Sequence, residues 1–174
     1  MEASVAFVCM EHWRRIETAP EEEARQLLRT CCGASRWVER MLIRRPYGSR
    51  DAALSAASEE WFALSPDDWA EAFGHHPRIG DRDALRRKFA ATRALSEREQ
   101  SGVSAASEEV LAALLEGNRE YEARFGYIFI VCATGRTADE MLALLRARLQ
   151  NDPQTEIRIA AEEHAKICAL RLRS

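Results

Sequence analysis

A chain of 174 residues can bury about two thirds of the surface that its unfolded form exposes, so one domain spanning the whole chain is expected. Apolar residues make up 47% and charged residues 30%, ordinary globular usage that excludes disordered and fibrous classes. The 28 acidic and 25 basic side chains leave a formal charge of -3, no electrostatic footprint for nucleic acid or an anionic membrane, and a small-molecule partner is the better expectation.

No apolar run approaches the roughly 18 residues that cross a bilayer. The start, Met1 to Phe7, has no basic stretch followed by a long apolar one, so a soluble cytoplasmic protein is expected. Cys9, Cys31, Cys32, Cys132 and Cys168 form an odd set without C-x-x-C spacing, which reads as reduced thiols rather than a disulfide framework or zinc knuckle. Cys132 and Cys168 sit among apolar neighbours, where cysteine packs as a small hydrophobe.

Helical spacing dominates in chain order. Pro20 opens a helix with Glu21, Glu22 and Glu23 in its first turn, where the helix dipole favours acids, and Gly33 closes it. Ser35 reads as the N-cap of a second helix through Ile43, which must stop before Pro46. An alanine-rich third follows from Ser49-Arg50-Asp51 to Phe62, and Ser65-Pro66-Asp67-Asp68 supplies cap, first-turn proline and acids for a fourth.

Asp83 to Thr92 is basic and helical, and Ser96-Glu97-Arg98-Glu99 fits a capping box. Ser107 to Arg124 is a long amphipathic helix, Thr137 caps another through Leu149, and Pro153 starts the last. The last helix carries Ile157, Ala160, Ala161, His164, Ile167, Cys168, Leu170 and Leu172. The exception is Phe125 to Ala133, an aromatic and β-branched run that either threads a helical core as an extended segment or bends into the neighbouring helix. The fold class is all-α: a single-domain helical bundle of about eight or nine helices with one short extended apolar segment.

The chemistry concentrates in Gly74-His75-His76-Pro77-Arg78-Ile79-Gly80-Asp81. Proline restricts its predecessor to extended angles, so His76 is expected at a helix end on a stiff backbone, an apt place for a general acid or base. Adjacent histidines on a helix point about 100° apart, and no H-x-x-x-H or H-E-x-x-H spacing occurs, so no metal site is expected. Ser96, Glu99 and Gln100 have a purely local reading as a capping box with an exposed glutamine. Arg171, between Leu170 and Leu172, is either a snorkelling surface arginine or one that grips a carboxylate, and local sequence does not choose.

Taken in order, the His-Pro segment, Ser96 to Gln100, Phe125 to Ala133 and Glu156 to Arg171 resemble the 2-oxo-4-hydroxy-4-carboxy-5-ureidoimidazoline (OHCU) decarboxylases of uric acid degradation. The tail and the Phe125 run look most like the decarboxylase half of plant fusion proteins that also carry a transthyretin-like hydrolase. That second module is not seen here, so a separate hydroxyisourate hydrolase partner is implied. So is an all-helical homodimer that forms S-allantoin from OHCU without metal or organic cofactor. The resemblance assigns proton transfer to His76, acting with Glu99, and substrate contacts to Pro77, Ser96, Glu99, Gln100, the backbone of Phe129, Ile130 and Val131, and Arg171. His75 stands where many relatives carry a small residue, and is left out of the site. A helical scaffold without turnover, or a cofactor-free enzyme for a related ureido or imidazolone compound, are the alternatives. The tail Arg171-Leu172-Arg173-Ser174 is not a peroxisomal Ser-Lys-Leu signal.

Overall fold

Three carboxylates next to a proline, a serine before Pro66 and a threonine three residues ahead of a glutamate each mark where a helix begins, and helices begin at each of them. The computed structural model describes residues 11–76 and 108–174. Among the described residues there are eight helices and no strands: α1 (His12–Thr18), α2 (Glu21–Cys31), α3 (Ser35–Ile43), α4 (Arg50–Phe62), α5 (Pro66–Gly74), α6 (Glu108–Phe125), α7 (Ala138–Arg148) and α8 (Pro153–Arg173). The fold is all-α. The expected helix at 83–92 and capping box at 96–99 lie outside the described residues.

The chain clusters into two units, one formed by residues 1–72 with 165–174 and the other by residues 73–164. In the first, α2 starts one residue after Pro20 with its three glutamates in the first turn, where they meet the unpaired amide groups of the helix start. Its end differs from expectation. The helix stops at Cys31, Cys32 is already extended (φ -143, ψ 128), and Gly33 is buried rather than serving as a left-handed cap. Ser35 is the first residue of α3 rather than its N-cap, a place held by Ala34. The reason is tertiary: the Glu71 carboxylate of α5 accepts from the Ser35 backbone N–H at 3.2 Å and its hydroxyl at 2.6 Å, doing for α3 what a local side chain does elsewhere.

The Ser49 hydroxyl accepts from the Ala52 amide at the start of α4. The alanines that follow, Ala53, Ala56 and Ala57, are buried with Trp61, and the buried Trp37 indole donates to the Ala57 carbonyl at 3.0 Å. Small residues on α4 thus make room for a large ring from α3, whose polar edge is satisfied. Ser65 and Asp68 cap α5 reciprocally, the Ser65 amide donating to Asp68 at 3.0 Å while the Ser65 hydroxyl accepts from the Asp68 amide at 3.3 Å. At the other end of the unit, the His12 amide donates to the Ser174 carbonyl at 2.8 Å.

In the second unit α6 and α7 pack around Leu111, Leu114, Tyr121, Phe129, Val131, Met141, Leu142, Leu145 and Leu149. A glycine in mid-helix costs about 1 kcal/mol against alanine. Gly117 has a packing reason, because a Cβ there would lie 2.7 Å from Leu145 Cδ2. Thr137 and Glu140 form the capping box of α7, and Asp152 accepts from the Gln154 and Thr155 amides at the start of α8. On α8, Glu156 and Glu163 are buried alongside Ala160 and His164, whereas Leu170 is 41% exposed.

The run after α6 takes neither helix nor strand. Gly126 turns the chain with φ +81, and residues 128–133 continue without regular structure. The Phe129 ring meets Tyr121 edge-on with centroids 5.1 Å apart. A strand-like composition here reflects burial, and side chains rather than a neighbouring strand take up the Ile130 carbonyl and the amide and carbonyl of Cys132.

Candidate active site

His76 lies two residues past the end of α5, and its amide donates to the Phe73 carbonyl at 3.1 Å, a last tight turn ahead of Pro77. That matches the position expected from the His-Pro pairing. Its Nε2 atom is buried, and its ring stands edge-on to His164 with centroids 5.0 Å apart. His164 is fully buried on α8 and meets Phe73 at 5.9 Å; Phe73 in turn meets Tyr127 at 5.1 Å. Two imidazoles, a phenyl ring and a phenol form one series within the second unit. His75 beside them is exposed.

The Tyr127 hydroxyl is buried. Burial pushes its acidity constant up to about 12, so at neutral pH it is a proton-bearing donor. Phe129, Ile130 and Val131, assigned to the site by the resemblance, are buried. The Ile130 carbonyl accepts from Arg148 Nη1 at 2.8 Å, and the Cys132 amide donates to Glu163 Oε2 at 2.8 Å.

Arg171 lies in the first unit, half-buried on α8. Its Nη1 donates to the carbonyls of Thr30 and Cys31 at 3.2 and 3.0 Å. There the side chain is anchored by one nitrogen to the end of α2, while Nε and Nη2 have no partner among the described residues. The Cys168 thiol donates to the Cys31 carbonyl at 3.2 Å. Burial pushes Cys31 up to about 12, and its hydrogen bond with Cys32, together with burial, raises Cys168. These thiols are protonated and packed, and no disulfide joins the described cysteines Cys31, Cys32, Cys132 and Cys168. Pro77, Ser96, Glu99 and Gln100 lie outside the described residues.

Sequence reasoning passed over Tyr127, Arg148, Glu156, Glu163 and His164 as site residues. A signal existed for four of them. Arg148 continues the buried series Met141 and Leu145, and Glu156, Glu163 and His164 share a face with Ala160. A charge on the apolar face of a helix needs a buried partner, and so marks a polar centre. Tyr127 carried no such mark, being one aromatic residue in an apolar run.

Fold and site define an all-helical protein with an interior of imidazole, phenol and buried ion-pair groups, suited to proton transfer on a small ligand. The family profile of OHCU decarboxylase matches residues 17–173. The chain is 39% identical over 147 residues to the uric acid degradation bifunctional protein TTL of Arabidopsis thaliana, covering 83% of this chain and 44% of that protein. It is 36% identical over 97 residues to the 2-oxo-4-hydroxy-4-carboxy-5-ureidoimidazoline decarboxylase of Amia calva, covering 56% of this chain and 55% of that one. The chain therefore spans about half the length of these curated relatives. A crystal structure of OHCU decarboxylase in the presence of (S)-allantoin matches with TM-score 0.68 and 34% identity, over 88% of this chain and 96% of that one. A crystal structure of (S)-allantoin synthase, at 18% identity, shares the fold with TM-score 0.68. The chain belongs to the OHCU decarboxylase family.

Proposed function

We propose that this protein decarboxylates OHCU to (S)-allantoin in urate degradation, with residues 1–174 acting as one functional domain. The observation that carries this reading is the His76 ring, turned inward beside His164 in a chain whose family match runs over residues 17–173. In the reaction the bond between ring carbon and carboxylate breaks, CO2 leaves, and the electron pair passes to the adjacent ring imine of the substrate. The protein's task is placement and proton management. His76 and Glu99 act as an acid/base pair, one taking the proton of the ring hydroxyl and the other delivering a proton to a single face of the neighbouring carbon. One-sided delivery sets the S configuration, and such a histidine contributes roughly 10² to 10⁴ in rate.

Pro77 stiffens the loop behind His76, while Ser96, Gln100, the Tyr127 hydroxyl and the backbone of Phe129, Ile130 and Val131 offer polar groups to the ring and ureido substituents. Arg171 orients the substrate through a carboxylate; a group that only grips the leaving carboxylate stabilises the ground state and slows its loss. With Nη1 fixed on α2 carbonyls, the other guanidinium nitrogens are preorganised for that contact. A cytoplasmic homodimer, fed by a separate hydroxyisourate hydrolase, belongs to the same reading; among the described residues no helix is long and apolar enough to cross a membrane. Light scattering on a sizing column measures the dimer.

The test generates OHCU from urate with uricase and hydroxyisourate hydrolase, adds this protein, and follows circular dichroism. Rapid appearance of dextrorotatory or laevorotatory signal matching authentic (S)-allantoin is the expected result. Slow racemic allantoin at the rate seen without the protein would refute the assignment.

A further inference from the structure

The second unit directs its buried charges at one short stretch of main chain. Arg148 is 6% exposed and Glu156 fully buried, and Glu156 Oε1 accepts from Arg148 Nε at 2.7 Å and pairs with Nη2 at 2.6 Å. The Tyr121 hydroxyl donates to the same oxygen and accepts from Arg148 Nη2 at 3.3 Å, while Asn151 donates to Glu156 Oε2 at 2.7 Å. Arg148 Nη1, left over, donates to the Ile130 carbonyl at 2.8 Å, and the guanidinium carbon lies 4.7 Å from the Phe129 ring centroid. Two residues along, Glu163 takes the Cys132 amide at 2.8 Å and Arg136 Nε donates to the Cys132 carbonyl at 3.1 Å.

Every one of these hydrogen bonds to main chain lands on residue 130 or 132. Between them Val131 is 9% exposed, and its N–H and C=O have no hydrogen-bond partner among the described residues. Buried main-chain groups are almost always paired, so the Val131 N–H and C=O, held between two fixed neighbours, are placed to meet the substrate that the reading above sets along this segment. Stability alone does not explain the anchor, because well-packed apolar residues replace a buried ion pair at little or no cost. What only an arginine supplies is the rigid fork that holds a carboxylate with one edge and a carbonyl with another.

We propose that Arg148, held by Glu156 and Tyr121, is a positioning residue that fixes the Ile130 carbonyl and so presents the Val131 peptide groups to the ureido and ring amide groups of the substrate. The proposal rests on the decarboxylase reading above. Such a hydrogen bond exists in both the bound substrate and the transition state, so misplacing it raises KM more than it lowers kcat.

The decisive variant is Arg148→Lys, which keeps the ion pair with Glu156 and loses the reach to Ile130. KM for OHCU should rise about tenfold with kcat within about threefold. In wild-type protein the Val131 amide resonance should move on adding (S)-allantoin, and in R148K that displacement should collapse. A folded R148K with unchanged KM and an unchanged Val131 response overturns the positioning role. If R148K does not fold, Tyr121→Phe decides by the same two readouts: it keeps both charges but loosens the fork, a rise in KM of about threefold supports the role, and no change overturns it. Wild-type protein inert towards OHCU sinks the decarboxylase reading together with this role, whereas wild-type turnover with an indifferent R148K sinks this role alone.

Discussion

Arg25 in the first unit and Arg148 in the second each hold several acceptors, yet they do different work. Arg25 reaches Glu21 at 2.9 Å, Glu22 at 2.8 Å and Glu39 at 2.9 Å, an exposed network in which its guanidinium is held charged and Glu39 is pulled below its usual range, in each case chiefly by their mutual hydrogen bond. Water competes for all of these groups, and salt screens them. Arg148 faces no such competition, so its bond to Glu156 offsets a desolvation cost and its bond to Ile130 fixes a backbone. The same residue type therefore decorates one unit and organises the interior of the other.

The contrast breaks most visibly at Glu156. Glu156→Ala leaves the Arg148 guanidinium buried without its carboxylate and should cost about 3–5 kcal/mol in urea unfolding. The double variant Arg148→Met with Glu156→Leu should regain much of that stability while losing the fixed Ile130 carbonyl; a double variant as unstable as the single one would count against a positioning role for the charge. Next in size, Gly117→Val drives a side chain into Leu145, whose Cδ2 lies 2.7 Å from an ideal Cβ, and should lower stability by about 1–3 kcal/mol.

A smaller effect separates the first unit by pH. Burial raises the Cys31 thiol from an ordinary value of 9.0 up to about 12, so the folded state keeps a proton that the unfolded chain gives up. That contribution is complete below pH 9 and is lost as pH rises from about 9 to about 12, amounting to about 1 kcal/mol by pH 10. Urea midpoints measured between pH 7 and 10 should fall, and Cys31→Ala should flatten the fall; an unchanged slope contradicts the buried thiol as its source. Least of all, Arg25→Ala should leave the melting temperature unchanged at about 0.5 M salt, where exposed pairs are screened. A clear loss there would mean that the two arginines are not so different.

Much of the fold was legible because helix starts are local events. Thr137 with Glu140, Ser65 with Asp68 and Ser49 ahead of Ala52 are capping partners within one turn, and all three form. Ser35 misled for the converse reason: its partner Glu71 lies 36 residues away, beyond any local pattern. Of the candidate site, the helix-end position of His76 was legible from the proline that constrains its backbone, and the burial of Phe129 to Val131 from the apolar run. The arrangement around it was less so. That Arg148, Glu156 and Glu163 are buried was written in their places on apolar helix faces, but which main-chain groups they hold depends on how a non-repetitive segment runs past them, and periodicity carries no information about that.

The proposed proton chemistry assigns its transfer to His76, and the initial rate of (S)-allantoin formation by His76→Ala against wild type, at matched melting temperature, tests it most directly. Loss of roughly 10² to 10⁴ in kcat with the fold intact is the expected result. A His76→Ala protein that turns over OHCU as fast as wild type would show that another group moves the proton.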